Sequence, residues 1–224
     1  MTWQRMQTLS GVGFAVLFVV GFLLMGGDTP DYAAPDQEWT KWAADNESSS
    51  RISMVLIVLA GFQFLLFAGS IRTALGSAET TANGSTRLTD TAFAGALVAI
   101  AGIVMAIVMI GAASLHGAES NPVASRAVID ASTGPFLLGS TGFAALLGAA
   151  GLLTLRTRVF ARWTGIAAVI GAIAFLVTFL SILDDSDESA FGVGFPIGFL
   201  CLAIWSIATS LASHRRITDT APAV

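Results

Sequence analysis

TAFAGALVAIAGIVMAIVMIGAASLHGA, residues 91–118, contains no Asp, Glu, Lys or Arg. A helix needs about 20 apolar residues to cross a hydrocarbon layer of about 30 Å. The stretch meets that length, and its apolar residues run on without alternation. Barrel strands alternate apolar and polar residues over about ten positions. The stretch therefore reads as a transmembrane helix, which satisfies its own backbone hydrogen bonds in lipid.

Five more charge-free windows flank it: Arg5 to Asp28, Arg51 to Arg72, Asp130 to Arg156, Arg162 to Asp184 and Glu188 to Arg215. Together the six predict helices at about 8–27, 52–74, 91–114, 134–156, 162–183 and 191–213. The predicted fold class is all-α, a polytopic transmembrane six-helix bundle. Residues 1–216 form one transmembrane domain, and 217–224 form a short cytoplasmic tail. The first window is read as an uncleaved helix. It is long for a signal-peptide core, and Gly26-Gly27-Asp28 makes no small-x-small cleavage site.

Composition agrees with this reading. Of 224 residues, 54% are apolar and 12% charged, with a mean hydropathy of +0.76. A soluble domain carries about 25% charged residues, so a water-soluble globule is excluded, and so is a disordered chain. The single cysteine, Cys201, excludes an intrachain disulfide and any Cys-rich metal site. No metal and no cofactor is expected.

Arginine placement predicts the orientation. With a cytoplasmic N-terminus, the inner segments hold Arg5, Arg72, Arg87, Arg156, Arg158, Arg162, Arg215 and Arg216. The outer segments hold only Lys41, Arg51 and Arg126. Both termini are then cytoplasmic, and the chain is placed in the cell (inner) membrane. The inner arginines track the membrane edge, so no nucleic-acid partner is expected.

The segments between spans carry the remaining signals. Pro30 and Pro35 open the first outer loop, and Asp36 is placed to cap a short helix from Gln37 to Asn46. Trp39 and Trp42, three apart, share a face of that helix. They read as interfacial anchors at the headgroup level, or as part of a lid. Residues 76–90 are rich in Ser, Thr and Gly and read as a flexible inner loop. Asn121-Pro122 reads as a turn in the third loop, and Pro135 as the start of the fourth helix.

Chemistry-bearing residues are few. Gln63 is the long polar side chain deep in a span; it fits a cross-helix hydrogen bond or a contact for a solute. His116, Glu119 and Asp130 fall on the outer side with Asp184, Asp185, Asp187 and Glu188. They read as a solvated acidic surface, with an outward polar site as the alternative. Their spacing matches neither an H-E-x-x-H pair nor a calcium loop. His214, Arg215 and Arg216 complement the C-terminus of the last helix. Ser140 is expected to bond its own helix backbone. No catalytic residue is assigned. Small residues four apart (Gly95/Ala99, Gly102/Ala106, Ala144/Gly148, Ala167/Gly171, Gly194/Gly198) predict close helix packing, within the chain or against a protein partner or second copy.

Several stretches together resemble a known group. They include Gly11 to Phe22, the Arg51-initiated second helix, Ala150-Gly151-Leu152-Leu153-Thr154-Leu155-Arg156-Thr157 and Arg162-Trp163-Thr164-Gly165. The run from Leu202 to Ser210 completes the set. The chain is similar to uncharacterised bacterial six-helix integral membrane proteins, a domain of unknown function common in high-GC Gram-positive bacteria. Members have Pro before the Trp of the fifth helix, where this chain has Ala161-Arg162. The resemblance implies location and architecture and brings no reaction with it.

The sequence supports three functions in descending order. The first is a non-catalytic membrane protein acting through lipid or partner contact. The second is a facilitator or transporter for a neutral or lipophilic solute, with Gln63 lining its path. The third is a membrane enzyme with an outward His/carboxylate site.

Overall fold

The computed structural model describes residues 3–25, 30, 34–113, 121–180, 183 and 193–219, apart from the side chains of 3–6 and 217–219. Seven helices follow in order: α1 (Trp3–Leu24), α2 (Asp36–Asp45), α3 (Glu47–Asn83), α4 (Arg87–Ala113), α5 (Pro122–Thr157), α6 (Arg162–Leu180) and α7 (Gly194–Asp219). All except α2 are long and apolar enough to cross a membrane. Each span packs on the next, α1 on α3, then α3, α4, α5, α6 and α7 in turn, and α7 returns to α1. The six spans form a closed ring of antiparallel neighbours. Most of them bury 39–44% of their apolar window, but α5 buries 67% and also touches α2, α3 and α7, so it is the pillar of the bundle.

Small residues set the tightest crossing, between α4 and α5. A Cβ on Gly142 would lie 2.7 Å from the Ala99 Cα and 2.8 Å from the Gly95 carbonyl oxygen. A Cβ on Gly102 would lie 2.5 Å from the Gly139 nitrogen and the Pro135 carbonyl oxygen. Backbones this close gain dispersion contacts that longer side chains would prevent. The pattern repeats where Gly151 of α5 meets Gly165 of α6, and where Gly194 of α7 meets Ala174 of α6. The small-residue faces are thus spent on the chain's own packing.

Large rings fill the middle. Phe14 (α1) lies 4.6 Å from Phe64 (α3), which lies 5.8 Å from Phe143 (α5). Phe143 lies 5.1 Å from Phe175 (α6), and Phe175 lies 6.2 Å from Phe195 (α7). Phe195 meets Phe199 at 6.1 Å, Phe199 meets Phe18 at 4.6 Å, and Phe18 returns to Phe14 at 5.6 Å. These are centroid spacings at which aromatic pairs attract. A circuit of phenylalanines therefore closes through five helices. Outward, Leu23, Val55, Phe62, Met105, Ile173 and Leu200 are more than half exposed, the arrangement a lipid environment favours.

Several predicted bounds are corrected. Residues 76–90 are not a flexible loop: α3 runs on to Asn83, and only a short turn precedes α4. The Thr73, Ser77 and Thr81 hydroxyls donate to the Gly69, Thr73 and Ser77 carbonyls, so this polar stretch supports its helix. Gly84 ends α3 with a left-handed φ of 65° and donates its N–H to Thr80, as C-terminal glycines do. Asn121-Pro122 is not a loop turn but the start of α5. The Asn121 side chain accepts the Ala124 N–H at 3.2 Å, and Pro122 takes the first turn, where its missing N–H costs nothing. Pro135 consequently lies inside the helix instead of at its start. Pro35, not Asp36, holds the N-cap of α2. The last helix reaches Asp219, into the predicted tail.

At about 1.5 Å per residue, α3 (37 residues) and α5 (36 residues) each reach about 55 Å. Both exceed the hydrocarbon thickness of about 30 Å. Their polar ends, 76–83 of α3 and 122–133 of α5, extend from opposite faces of the bundle.

Candidate functional site

The hairpin between α3 and α4 is closed by Glu79. This carboxylate is 2% exposed. It lies on the buried face of α3 with Ile71 and Leu75, four residues apart. Its Oε1 accepts the Leu88 N–H at 3.0 Å; its Oε2 accepts the Thr89 N–H at 2.9 Å and the Thr89 hydroxyl at 2.8 Å. These amides belong to the first turn of α4, where backbone donors have no partner within the helix and the dipole favours an anion. Glu79 thus caps α4 from the neighbouring helix. Beside it Arg72 donates to Asp90 at 3.0 Å, Thr86 donates to the same carboxylate at 2.9 Å, and Arg72 stacks 4.8 Å from the Phe93 ring centre.

The ring of helices is also fastened at this end. The Thr8 hydroxyl lies 3.1 Å from the His214 Nδ1, joining α1 to α7. Arg216 donates to the Val159 carbonyl, and its guanidinium lies 5.6 Å from the Phe160 ring centre. Val159 and Phe160 form the α5–α6 turn, which Arg158 enters with a left-handed φ of 55°. His214 and Arg216 therefore bond specific neighbours in addition to facing the end of their own helix.

At the opposite end of the bundle α2 lies over α5. Trp39 and Trp42 are buried, 5.9 Å apart and edge-on, among Ala43, Ala113 and Ile129. The Arg126 guanidinium lies 4.9 Å from the Trp39 ring centre, and its Nε lies 2.8 Å from Asp130. The Ser125 hydroxyl donates to the Ala113 carbonyl at 2.9 Å, tying α5 to the end of α4. Both indoles expected to share a face do so, and that face meets protein. Asp130 sits two turns into α5, paired to Arg126, and not in a loop.

The other expected residues are placed as follows. Gln63 lies on α3 beside α1, where a Cβ on Gly13 would touch its Cδ at 3.4 Å. It is half-buried, one position before the Phe64 of the aromatic circuit. Ser140 donates to the Phe136 carbonyl at 3.1 Å, the helix-backbone bond its position suggested. His116, Glu119, Asp184, Asp185, Asp187 and Glu188 lie outside the described residues. Among the described residues no three His, Cys, Asp or Glu are grouped to hold a metal ion.

Sequence reasoning missed Glu79 and the near-complete burial of Arg126, whose side chain is 12% exposed. The first was visible as a carboxylate in register with Ile71 and Leu75. The second had no local signal, because its burial depends on α2 folding across it.

The described geometry consists of clamps at both ends and rings between them. It defines an all-helical, six-span bundle of the polytopic type. No protein-family model, no curated protein and no solved structure matches the chain.

Proposed function

We propose that this chain is a non-catalytic integral membrane protein that works through contact with lipid or a protein partner. The observation that carries this reading is the aromatic circuit, in which Phe14, Phe18, Phe64, Phe143 and Phe175 are each at most 1% exposed. Rings in mutual contact across the bundle occupy the path a solute would need. Gln63 lies at the α1–α3 seam, outside that circuit, which weighs against a solute-lining role. The glycine faces are used internally, so a partner would meet the outward branched and aromatic side chains.

We place the chain in a bacterial inner membrane with both termini cytoplasmic. The bundle gathers Arg72, Arg87, Arg156, Arg158, Arg162, Arg215 and Arg216 at one end. The positive-inside tendency supports that end as cytoplasmic.

The test is glycerol and water permeation into proteoliposomes, followed by stopped-flow light scattering. The expected rates equal those of protein-free vesicles of the same lipid. Faster permeation that falls to the protein-free rate with Gln63→Leu would overturn the reading in favour of a facilitator.

A further inference from the structure

Helices α1 and α7 close the ring, and between the end of α1 and the start of α7 their packing leaves an outward cleft. Phe22 of α1 lies 5.8 Å from Phe195 and 6.4 Å from Phe199, both of α7, and those two lie 6.1 Å apart. Three rings in mutual contact, at spacings where aromatic pairs attract, wall the cleft and fix its shape. Val19 and Leu23, four apart on α1, and Leu200 of α7 are its exposed lining; Leu23 is 72% and Leu200 61% exposed. Ala203, which is buried, is the lining residue farthest along α7. Pro196 adds a wall that has no backbone N–H to offer.

The cleft has a volume of about 390 Å³, inside the range of about 300–1,000 Å³ that small-molecule sites occupy. None of its lining side chains is polar, so hydrocarbon fits it. Its eight lining residues fall far below the roughly 20–30 residues per side of a stable protein interface, so it is not by itself the seat of a second copy. From Phe195 to Ala203, α7 rises about 12 Å at about 1.5 Å per residue. That is close to half of the hydrocarbon thickness of about 30 Å, the reach of one leaflet. Charge narrows the choice further. Residues 25–35 and 181–193, which join α1 to α2 and α6 to α7, contain Asp28, Asp31, Asp184, Asp185, Asp187 and Glu188 and no Lys or Arg. An anionic headgroup has no basic partner there and meets like charge. Either segment, laid into the cleft, would carry carboxylates toward hydrocarbon, which is costly.

We propose that the α1–α7 cleft holds one acyl chain of a zwitterionic phospholipid, of the phosphatidylethanolamine class, from the leaflet at the arginine-poor end. The inference rests on the lipid-contact reading above and gives that contact a place. The chain lies along the three phenylalanine rings and packs on the first and last spans together, so it covers the seam where the ring closes.

The experiment is native mass spectrometry of the full chain in detergent, after equilibration with equimolar phosphatidylethanolamine and phosphatidylglycerol carrying the same acyl chains. The expected result is one phosphatidylethanolamine retained per chain under activation that strips detergent, with phosphatidylglycerol at lower occupancy. Val19→Trp and Leu200→Trp put an indole into the cleft from exposed positions, and each should lose the adduct. Met105→Trp, a like change at an exposed position of α4, should keep it. If the cleft variants do not fold, a phosphatidylethanolamine with a diazirine midway along its chain tests the unaltered protein, and its crosslinks should map to residues 19–23 and 195–203. No retained lipid, equal retention of the two lipids, an adduct that survives both cleft variants, crosslinks confined to other helices, or a dimer mass would each overturn the proposal. Absence of the adduct with protein-free permeation rates overturns this site alone. Fast, Gln63-dependent permeation with the adduct intact overturns the non-catalytic reading alone.

Discussion

Gly142→Val is expected to lose about 3 kcal/mol of stability or more, the upper range for overpacking a well-filled core. The position faces backbone, not movable side-chain tips: a Cβ would meet the Ala99 Cα at 2.7 Å and the Gly95 oxygen at 2.8 Å. Relief requires α4 and α5 to separate. Their separation also opens the Gly102–Gly139 contact one or two turns away, so the cost spreads along the crossing. Gly69→Ala is the control. Gly69 is exposed on α3, and a Cβ there has nothing within 4 Å. It is expected to leave stability unchanged or raise it by up to about 1 kcal/mol through helix propensity. Equilibrium unfolding of both variants in mixed micelles separates the cases. Equal stabilities would show that the crossing is looser than described.

Glu79→Ala is expected to cost about 2–4 kcal/mol. Three donors converge on this carboxylate within 3.0 Å, and its removal leaves them without it in a site where Thr89 is 2% exposed. Loss of a helix cap costs about 0.5–2 kcal/mol, and hydrogen bonds to charged groups contribute about 1.5–3 kcal/mol each. The sum is discounted because water reaches part of an opened turn. Glu79→Gln keeps an accepting oxygen but turns amide hydrogens toward the same donors, so an intermediate loss of about 1–2 kcal/mol is expected. Hydrogen–deuterium exchange gives the local readout. The amides of Leu88 and Thr89 should exchange faster in both variants, while those in the middle of α6 keep their wild-type protection. Wild-type exchange at both amides in Glu79→Ala would remove the cap from the account.

The six spans were legible because hydrocarbon tolerates few charges, and a gap between charges marks a crossing without any knowledge of packing. The same criterion ends where the bilayer ends. Beyond it, α3 and α5 obey capping and hydroxyl back-bonding, so Ser77 and Thr81 extend a helix that hydropathy would stop at residue 74. Asn121 and Pro122 likewise begin one that hydropathy would start twelve residues later. The glycine pairs announced close packing, but which helices they join depends on axial register. The phenylalanines were visible individually, whereas their circuit exists only once five helices are aligned. Trp39 and Trp42 were assigned a common face from spacing alone; that the face meets Arg126 depended on the placement of α2 over α5.

Six crossings with the arginine-rich end in the cytoplasm are the proposed arrangement. Cysteine accessibility in intact bacterial cells tests them most directly, in a Cys201→Ala background. Ser48→Cys and Ala131→Cys place single thiols on exposed positions of α3 and α5 at the outer end, and Asn83→Cys and Ala161→Cys place them at the inner end. A membrane-impermeant maleimide should label the first pair in intact cells and the second pair only after lysis. Labelling of all four from one side would contradict the crossings of α3 and α5, and the reversed pattern would contradict the orientation.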